Sequence, residues 1–358
     1  MVHLLLVVIY LAFISLGLPD SLLGSAWPMM YQEFEVPVSY AGIIAMIIAA
    51  GTIVSSLLSD RLTRKLGPGM VTALSVALTA FSLFGFSVSN SFILLCILAI
   101  PYGLGAGSVD AALNNYVALH YDSHHMSWLH CMWGLGASIG PYIMSYALIG
   151  GKPWNTGYQY VSYIQIGLTF IIFLSLPLWK KRPVVAGVAD SSVDGPSESE
   201  MISADTAERA LSKTGAADAG VNPSDKPLTL REIYTIPGAK QILITFFCYC
   251  ALETTCALWA SSYLVLSKGI DAETAAALAS LFYIGITVGR AISGFLTFKF
   301  NDIQMVRMGE CVIGLGILTV LLPFGEMGAM VGLVLIGLGC APIYPCIIHS
   351  TPVYFWGG

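Results

Sequence analysis

The chain has 358 residues, of which 56% are hydrophobic and only 10% charged, and its mean hydropathy is +0.77. A water-soluble domain carries about a quarter charged residues, so this composition excludes a water-facing enzyme and points to an all-α polytopic membrane protein whose exterior meets the lipid bilayer. The formal net charge of −5 arises in residues 183–230, which hold eight acids and three bases. No basic patch points to nucleic acid.

A lipid-crossing helix needs about 20 mostly apolar residues. Ten runs meet that need: 4–27, 39–59, 70–88, 92–115, 126–149, 158–179, 239–266, 275–298, 305–323 and 327–349. They are too long, and too uniformly apolar, to be barrel strands. The first lacks the Lys/Arg-rich start and small-residue cleavage site of a signal peptide and runs on into Trp27-Pro28, so it reads as a retained first helix. The eight cysteines nearly all lie inside apolar runs without CxxC pairing and read as small buried hydrophobes; no cofactor or metal is called for.

Orientation follows from Lys and Arg, which stay on the cytoplasmic side. Thirteen of the sixteen lie in one set of connections: Arg61, Arg64, Lys65, eight between Lys180 and Lys240, Lys299 and Arg307. The other set holds Lys152 and Lys268, and Arg290 sits inside a run. The N-terminus and the 180–238 segment are therefore expected in the cytoplasm, with the chain in a bacterial inner membrane. That segment is rich in Ser, Ala, Gly and Asp and poor in aromatics, a composition that predicts a largely disordered linker. It divides an N-terminal six-helix bundle, 1–179, from a C-terminal bundle, 239–358, with four of an expected six helices. Weak repeats support the division. Gly103-Leu104-Gly105 recurs as Gly337-Leu338-Gly339, Ser25-Ala26-Trp27 resembles Ser261-Ser262-Tyr263, and Gly51 with Ser56-Leu57-Leu58 resembles Gly289 with Gly294-Phe295-Leu296. Parallel repeats of this kind hold a substrate between their halves. The expected fold is two pseudo-symmetric bundles truncated to ten spans, six and four.

Ionisable groups within spans are costly at about 2.5–3.5 kcal/mol each at a helix centre, so they face a cavity or a partner. Asp20, Asp110, Glu253 and His130 are staggered through the bilayer in a way that suits a proton route. Arg290 would be held by an acid or by carbonyls. Asn114 shares a helix face with Asp110 and, with Asn115, offers hydrogen bonds to a polyol. Trp133 and Trp259 offer faces to a sugar, and Tyr263 and Tyr283 offer hydroxyls; core packing is the plainer reading of each aromatic alone. Gly136 and Gly140 are four apart beside Pro141, a spacing that lets helices approach closely. Asp60, Arg61, Arg64 and Lys65 crowd one cytoplasmic turn, where an acid beside bases can pair with a neighbouring helix end in one conformation and release it in another. His120, His124, His125 and Asp122 read as a solvated loop rather than a metal site.

Ser56 to Gly67 resembles the signature loop of the major facilitator superfamily, with Ser56 where that signature has Gly, and Gly136 to Pro141 is similar to its fifth-helix glycine–proline motif. Gly17 to Pro28, Asp110 to Asn115 and Trp128-Leu129-His130 resemble the fucose permease branch, the fucose–galactose–glucose proton symporters. The resemblance implies carboxylates in the first and fourth helices that couple protons and recognise sugar, here Asp20 and Asp110. The expected activity is secondary active transport of a small polar solute, a sugar, driven by protons through alternating access in a monomer. A proton-linked drug or metabolite antiporter and a non-transporting membrane sensor are the alternatives. No nucleophile–base spacing or Walker loop supports an enzyme.

Overall fold

The structure, a computed structural model, describes residues 2–121, 123–179, 236, 238–296 and 299–347, without the side chains of Val2, His3, Ala118, Leu119, Ser123, His124, Met126 and Ser127. The expected linker, apart from 236 and 238, lies outside the described residues, as do Asp122 and the His124 side chain. The first apolar run forms α1 (Val2–Asp20) and α2 (Leu22–Glu33), followed by α3 (Ala41–Leu66), α4 (Pro68–Ser87), α5 (Phe92–His120), α6 (Ser123–Ile149) and α7 (Trp154–Ser175). Beyond the linker come α8 (Ala239–Lys268), α9 (Ala272–Leu296), α10 (Asp302–Leu321) and α11 (Gly325–Cys340). Among the described residues, nine helical segments are long and apolar enough to cross a membrane. The 27-residue α6 is long enough but outside that set; it carries His124, His125 and His130 and several serines and glycines in place of aliphatic side chains.

Burial is inverted relative to a soluble protein. Leu57, Phe295, Phe247 and Ile93 are more than 70% exposed, whereas Thr72, Ser82, Ser162 and Ser280 are fully buried. Large apolar groups point outward because lipid accepts them. Small hydroxyls point inward because they lie close to a backbone carbonyl: Thr72 donates to Pro68, Ser82 to Leu78 and Ser280 to Ala277. Each hydroxyl is satisfied on its own helix without a partner elsewhere.

In the first half α1 packs on α6, α3 on α5, and α4 on α5 and α7; in the second, α9 and α10 pack on α11 and α8 packs on α9. The two halves share one register. Gly103 lies where a side chain would overlap the Ile48 carbonyl, and Gly337 stands in the same relation to Phe282. Gly105 meets the Ser75 carbonyl as Gly339 meets that of Gly309. All of these equivalents are 234 positions apart. The counterpart of Gly51, which packs against Gly103, is therefore Gly285, which packs against Gly337; Gly289 meets Ala341 and Leu338 one turn on. Contacts between halves run from α2 to α8 and α9, and from α6 to α9.

The break between α1 and α2 was not expected from the run 4–27. Proline lacks the N–H that would close on the carbonyl four residues back, so Pro19 leaves the Ser15 carbonyl without its helical partner. Gln165 of α7, fully buried, donates to that carbonyl and accepts from the Ser15 hydroxyl at 2.8 Å. Just beyond, Ser21 interrupts the helix and its hydroxyl turns back to Leu18 at 3.4 Å. Asp20 is thereby the last residue of α1, beside the interruption at Ser21. Farther along, α2 is pinned by Trp27, which donates to the Val38 carbonyl at 2.6 Å, and by Trp154, which donates to Glu33 at 2.6 Å.

Candidate functional site

Both carboxylate oxygens of Asp20 are occupied by donors from other helices. Tyr102 of α5 donates to Oδ1 at 2.9 Å, and the Trp133 indole N–H of α6 donates to Oδ2 at 2.9 Å. Hydrogen bonds to a charged acceptor are worth about 1.5–3 kcal/mol, enough to fix this carboxylate. Asp20 is nevertheless exposed, so it borders open space.

The second half of the chain reaches the same Trp133. The Arg290 guanidinium of α9 lies 5.2 Å from its ring centre, and Tyr283 of α9 meets it edge-on at 6.3 Å. Arg290 also donates to the His130 carbonyl of α6 at 3.5 Å. The expectation that Arg290 is held by carbonyls or an acid is thus answered by a carbonyl and an indole face, the strongest aromatic acceptor of a cation. Glu253 of α8 and Asp110 of α5 both lie within electrostatic reach of Asp20. Glu253 also acts on Tyr249, Cys256, Tyr283 and Cys340 around it, and Asp110 acts on Tyr344 of the second half. Asp110 and Glu253 thus lie at electrostatic range of Asp20, and Arg290 is linked to Asp20 through Trp133.

The other expected site residues are more dispersed. Asn114 donates to Asp110 at 3.0 Å, leaving its own buried carbonyl oxygen without a hydrogen bond among the described residues. Asn115 is exposed. His130 is half-buried, edge-on to Phe13 at 5.9 Å. Trp259 borders a groove of about 350 Å³ along α8 with Phe247, Cys250, Ala251, Thr254 and Thr255. Tyr263 lies under Lys268 at 5.9 Å near the end of α8. Tyr283 is buried against Trp133 and Phe282.

The glycines of α6 set two different contacts. Gly136 and Gly140 lie against the Ile14 and Leu18 carbonyls of α1, and Gly17 against the Trp133 carbonyl, where any side chain would overlap backbone. Gly134 lies instead against Thr287 of α9, in the other half. Pro141 is buried beside them. Asp60 pairs with Arg64 at 2.5 Å on its own helix, both side chains about 70% exposed; Arg61 and Lys65 are exposed too. Such a solvated pair contributes about 0.3–0.5 kcal/mol. Among the described residues no group of His, Cys, Asp and Glu is arranged to hold a metal ion.

Tyr102 and Gln165 escaped the sequence reading. Tyr102 directly precedes the repeated Gly103-Leu104-Gly105, a signal within reach; Gln165, one of two glutamines in the run 158–179, is the buried polar group that Pro19 calls for.

The fold and the site define a helical membrane protein of two related halves that meet at Trp133. The chain belongs to the Major Facilitator Superfamily, whose sequence pattern matches residues 9–355. Membership, together with the long apolar helices, makes it an integral membrane protein. It is 23% identical over 306 residues to Bypass of stop codon protein 6 of Saccharomyces cerevisiae, covering 84% of this chain and 59% of that protein. It is 21% identical over 356 residues to the Glucose/mannose transporter GlcP of Bacillus subtilis, covering 96% of this chain and 79% of GlcP. The chain thus spans about three-fifths of the length of the yeast relative. The crystal structure of a D-xylose-proton symporter superposes with a TM-score of 0.63 at 12% identity, covering 96% of this chain and 81% of that one, a likeness of fold.

Proposed function

We propose that the chain moves a small polar solute, a sugar, across the membrane together with protons, by exposing the centre around Asp20 first to one side and then to the other. The observation that carries this reading is Asp20: an exposed carboxylate held by two donors, with two further acids at electrostatic range; one of the donors, Trp133, also meets Tyr283 and Arg290 of the other half. Proton uptake at a carboxylate removes the charge that its donors hold, so it changes which arrangement of the halves is favoured. Trp133 offers the ring face not covered by Arg290 to a sugar, and Asp110 offers acceptors to its hydroxyls. The similarity to a glucose/mannose transporter, and the fold shared with a D-xylose-proton symporter, support the sugar class. Placement in the fucose permease branch rests on Asp20, Asp110 and the stretches around them.

The same reading keeps the N-terminus and the 180–238 linker in the cytoplasm of a bacterium, six helices before the linker and four after it, and a monomer as the working unit. It is tested by uptake into proteoliposomes against a panel of sugars, drugs and metabolites, with and without an imposed pH gradient. Uptake of a sugar that rises when the lumen is made alkaline supports it. Efflux of apolar drugs in exchange for protons would establish antiport instead, and no movement above that in empty vesicles would leave the sensor reading.

A further inference from the structure

Trp133 is placed to do more than bind. Its indole N–H is spent on Asp20, its ring face lies under Arg290, and Arg290 returns to the same helix through the His130 carbonyl. One side chain of α6 therefore joins the ionisable end of α1 to a cation of the opposite half. The backbone beside it has little slack: Gly134 abuts Thr287, one turn before Arg290 on α9, and Gly17 abuts the Trp133 carbonyl itself. These close approaches set α6 directly against α1 and α9 on either side of Trp133.

Resting on the transport reading above, we propose that Trp133 is a positioning residue that makes the contact between the two halves depend on the charge of Asp20. With Asp20 ionised, the charge-assisted bond fixes the indole with its face toward Arg290, and the cation draws α9 to α6. With Asp20 protonated, the acceptor loses its charge and the indole is released. Arg290 then loses its oriented partner, and the halves are freed to take their other arrangement. The titratable and charged groups around Asp20 that share this field are Tyr102 and Asp110 on α5, Tyr158 on α7 next to Tyr102, His130 on α6, Glu253 on α8, and Tyr283 and Arg290 on α9. None of the others both bonds Asp20 and touches Arg290 among the described residues.

The test reads the arrangement of the halves without any solute. Genetically encoded spin labels replace Leu66 at the end of α3 and Lys299 beyond α9, both exposed, and the distance between them is measured in lipid nanodiscs from about pH 5 to about pH 8. In the parent the ratio of the two populations changes about 5- to 150-fold over that range, the span typical of coupled sites. Trp133→Phe keeps an aromatic face but lacks the N–H, and is expected to change less than about twofold; Arg290→Gln behaves alike, and the double variant is no worse than either single one. A merely structural role would displace the populations at every pH but leave their dependence on pH intact in Trp133→Phe, and that result overturns the proposal. A parent insensitive to pH overturns it as well. Failure of the uptake panel to find a solute leaves this readout untouched, so the two readings fall separately.

Discussion

Replacing Gln165 by leucine removes the amide that donates to the carbonyl Pro19 orphans, while keeping a side chain of similar bulk. The Ser15 carbonyl and the Gln165 amide are both buried, Gln165 fully and Ser15 at 2% exposure. A buried carbonyl left without a donor costs about 1–3 kcal/mol in proteins generally, and side-chain hydrogen bonds measured between membrane helices average about 0.6 and reach about 1.7 kcal/mol. A loss of about 1–2 kcal/mol is therefore expected for Gln165→Leu, read as a change in the unfolding free energy of the purified protein in mixed micelles titrated with denaturing detergent. The decisive comparison is the same substitution in a Pro19→Ala background. Alanine restores an N–H that reaches Ser15 along the helix, and the Ser15 hydroxyl is free to turn to its own backbone, so Gln165→Leu should then cost less than about 0.5 kcal/mol. An equal cost in both backgrounds would refute the claim that Gln165 compensates for the proline.

Three further outcomes follow from the site and its supports. Asp20→Asn keeps an acceptor for one donor but cannot lose a proton, so uptake against a gradient should vanish while solute exchange across the membrane persists, as measured by counterflow in proteoliposomes. Gly136→Ala drives a methyl group into the Ile14 carbonyl and should lower stability by about 1–3 kcal/mol in the same detergent titration. At the exposed start of α9, the Asp271 carboxylate accepts from the Thr274 N–H at 2.8 Å, and its bonds to Thr274 hold it below the usual carboxylate range. Because the folded value is depressed, its contribution is complete above the unfolded value of about 3.9 and lost as pH falls through the folded one. Asp271→Ala should cost about 0.5 kcal/mol at neutral pH, the low end for a helix cap, and flatten the acid limb of the stability profile below about pH 4.

Much of this architecture was legible because lipid imposes length and apolarity on each span, and ten runs could be marked without reference to partners. The charges within spans were legible for the same reason: Asp20, Asp110, Glu253 and Arg290 stand out where so few charges occur. Their pairing was not, since it depends on how helices far apart in sequence cross. Nothing local shows that Trp133 donates to Asp20 and faces Arg290. The repeat was visible but misread by one turn at Gly51, because Gly285 and Gly289 are equally plausible neighbours in sequence; only the contact with Gly337 separates them. Trp259 was selected for its residue type, while the structure turns it toward a groove along α8. Gln165 was invisible as a site because its role is fixed by a proline one hundred and forty-six positions away.

On the proposed mechanism a solute and a proton cross together through the centre at Asp20. Proteoliposomes loaded with a pH-sensitive dye, carrying no initial gradient and given an inward gradient of a transported sugar, test it most directly. Acidification of the lumen is expected when sugar is added to the parent protein, and none with Asp20→Asn. Sugar entry without a change in pH in the parent, or an undiminished change in the Asp20→Asn variant, would contradict it.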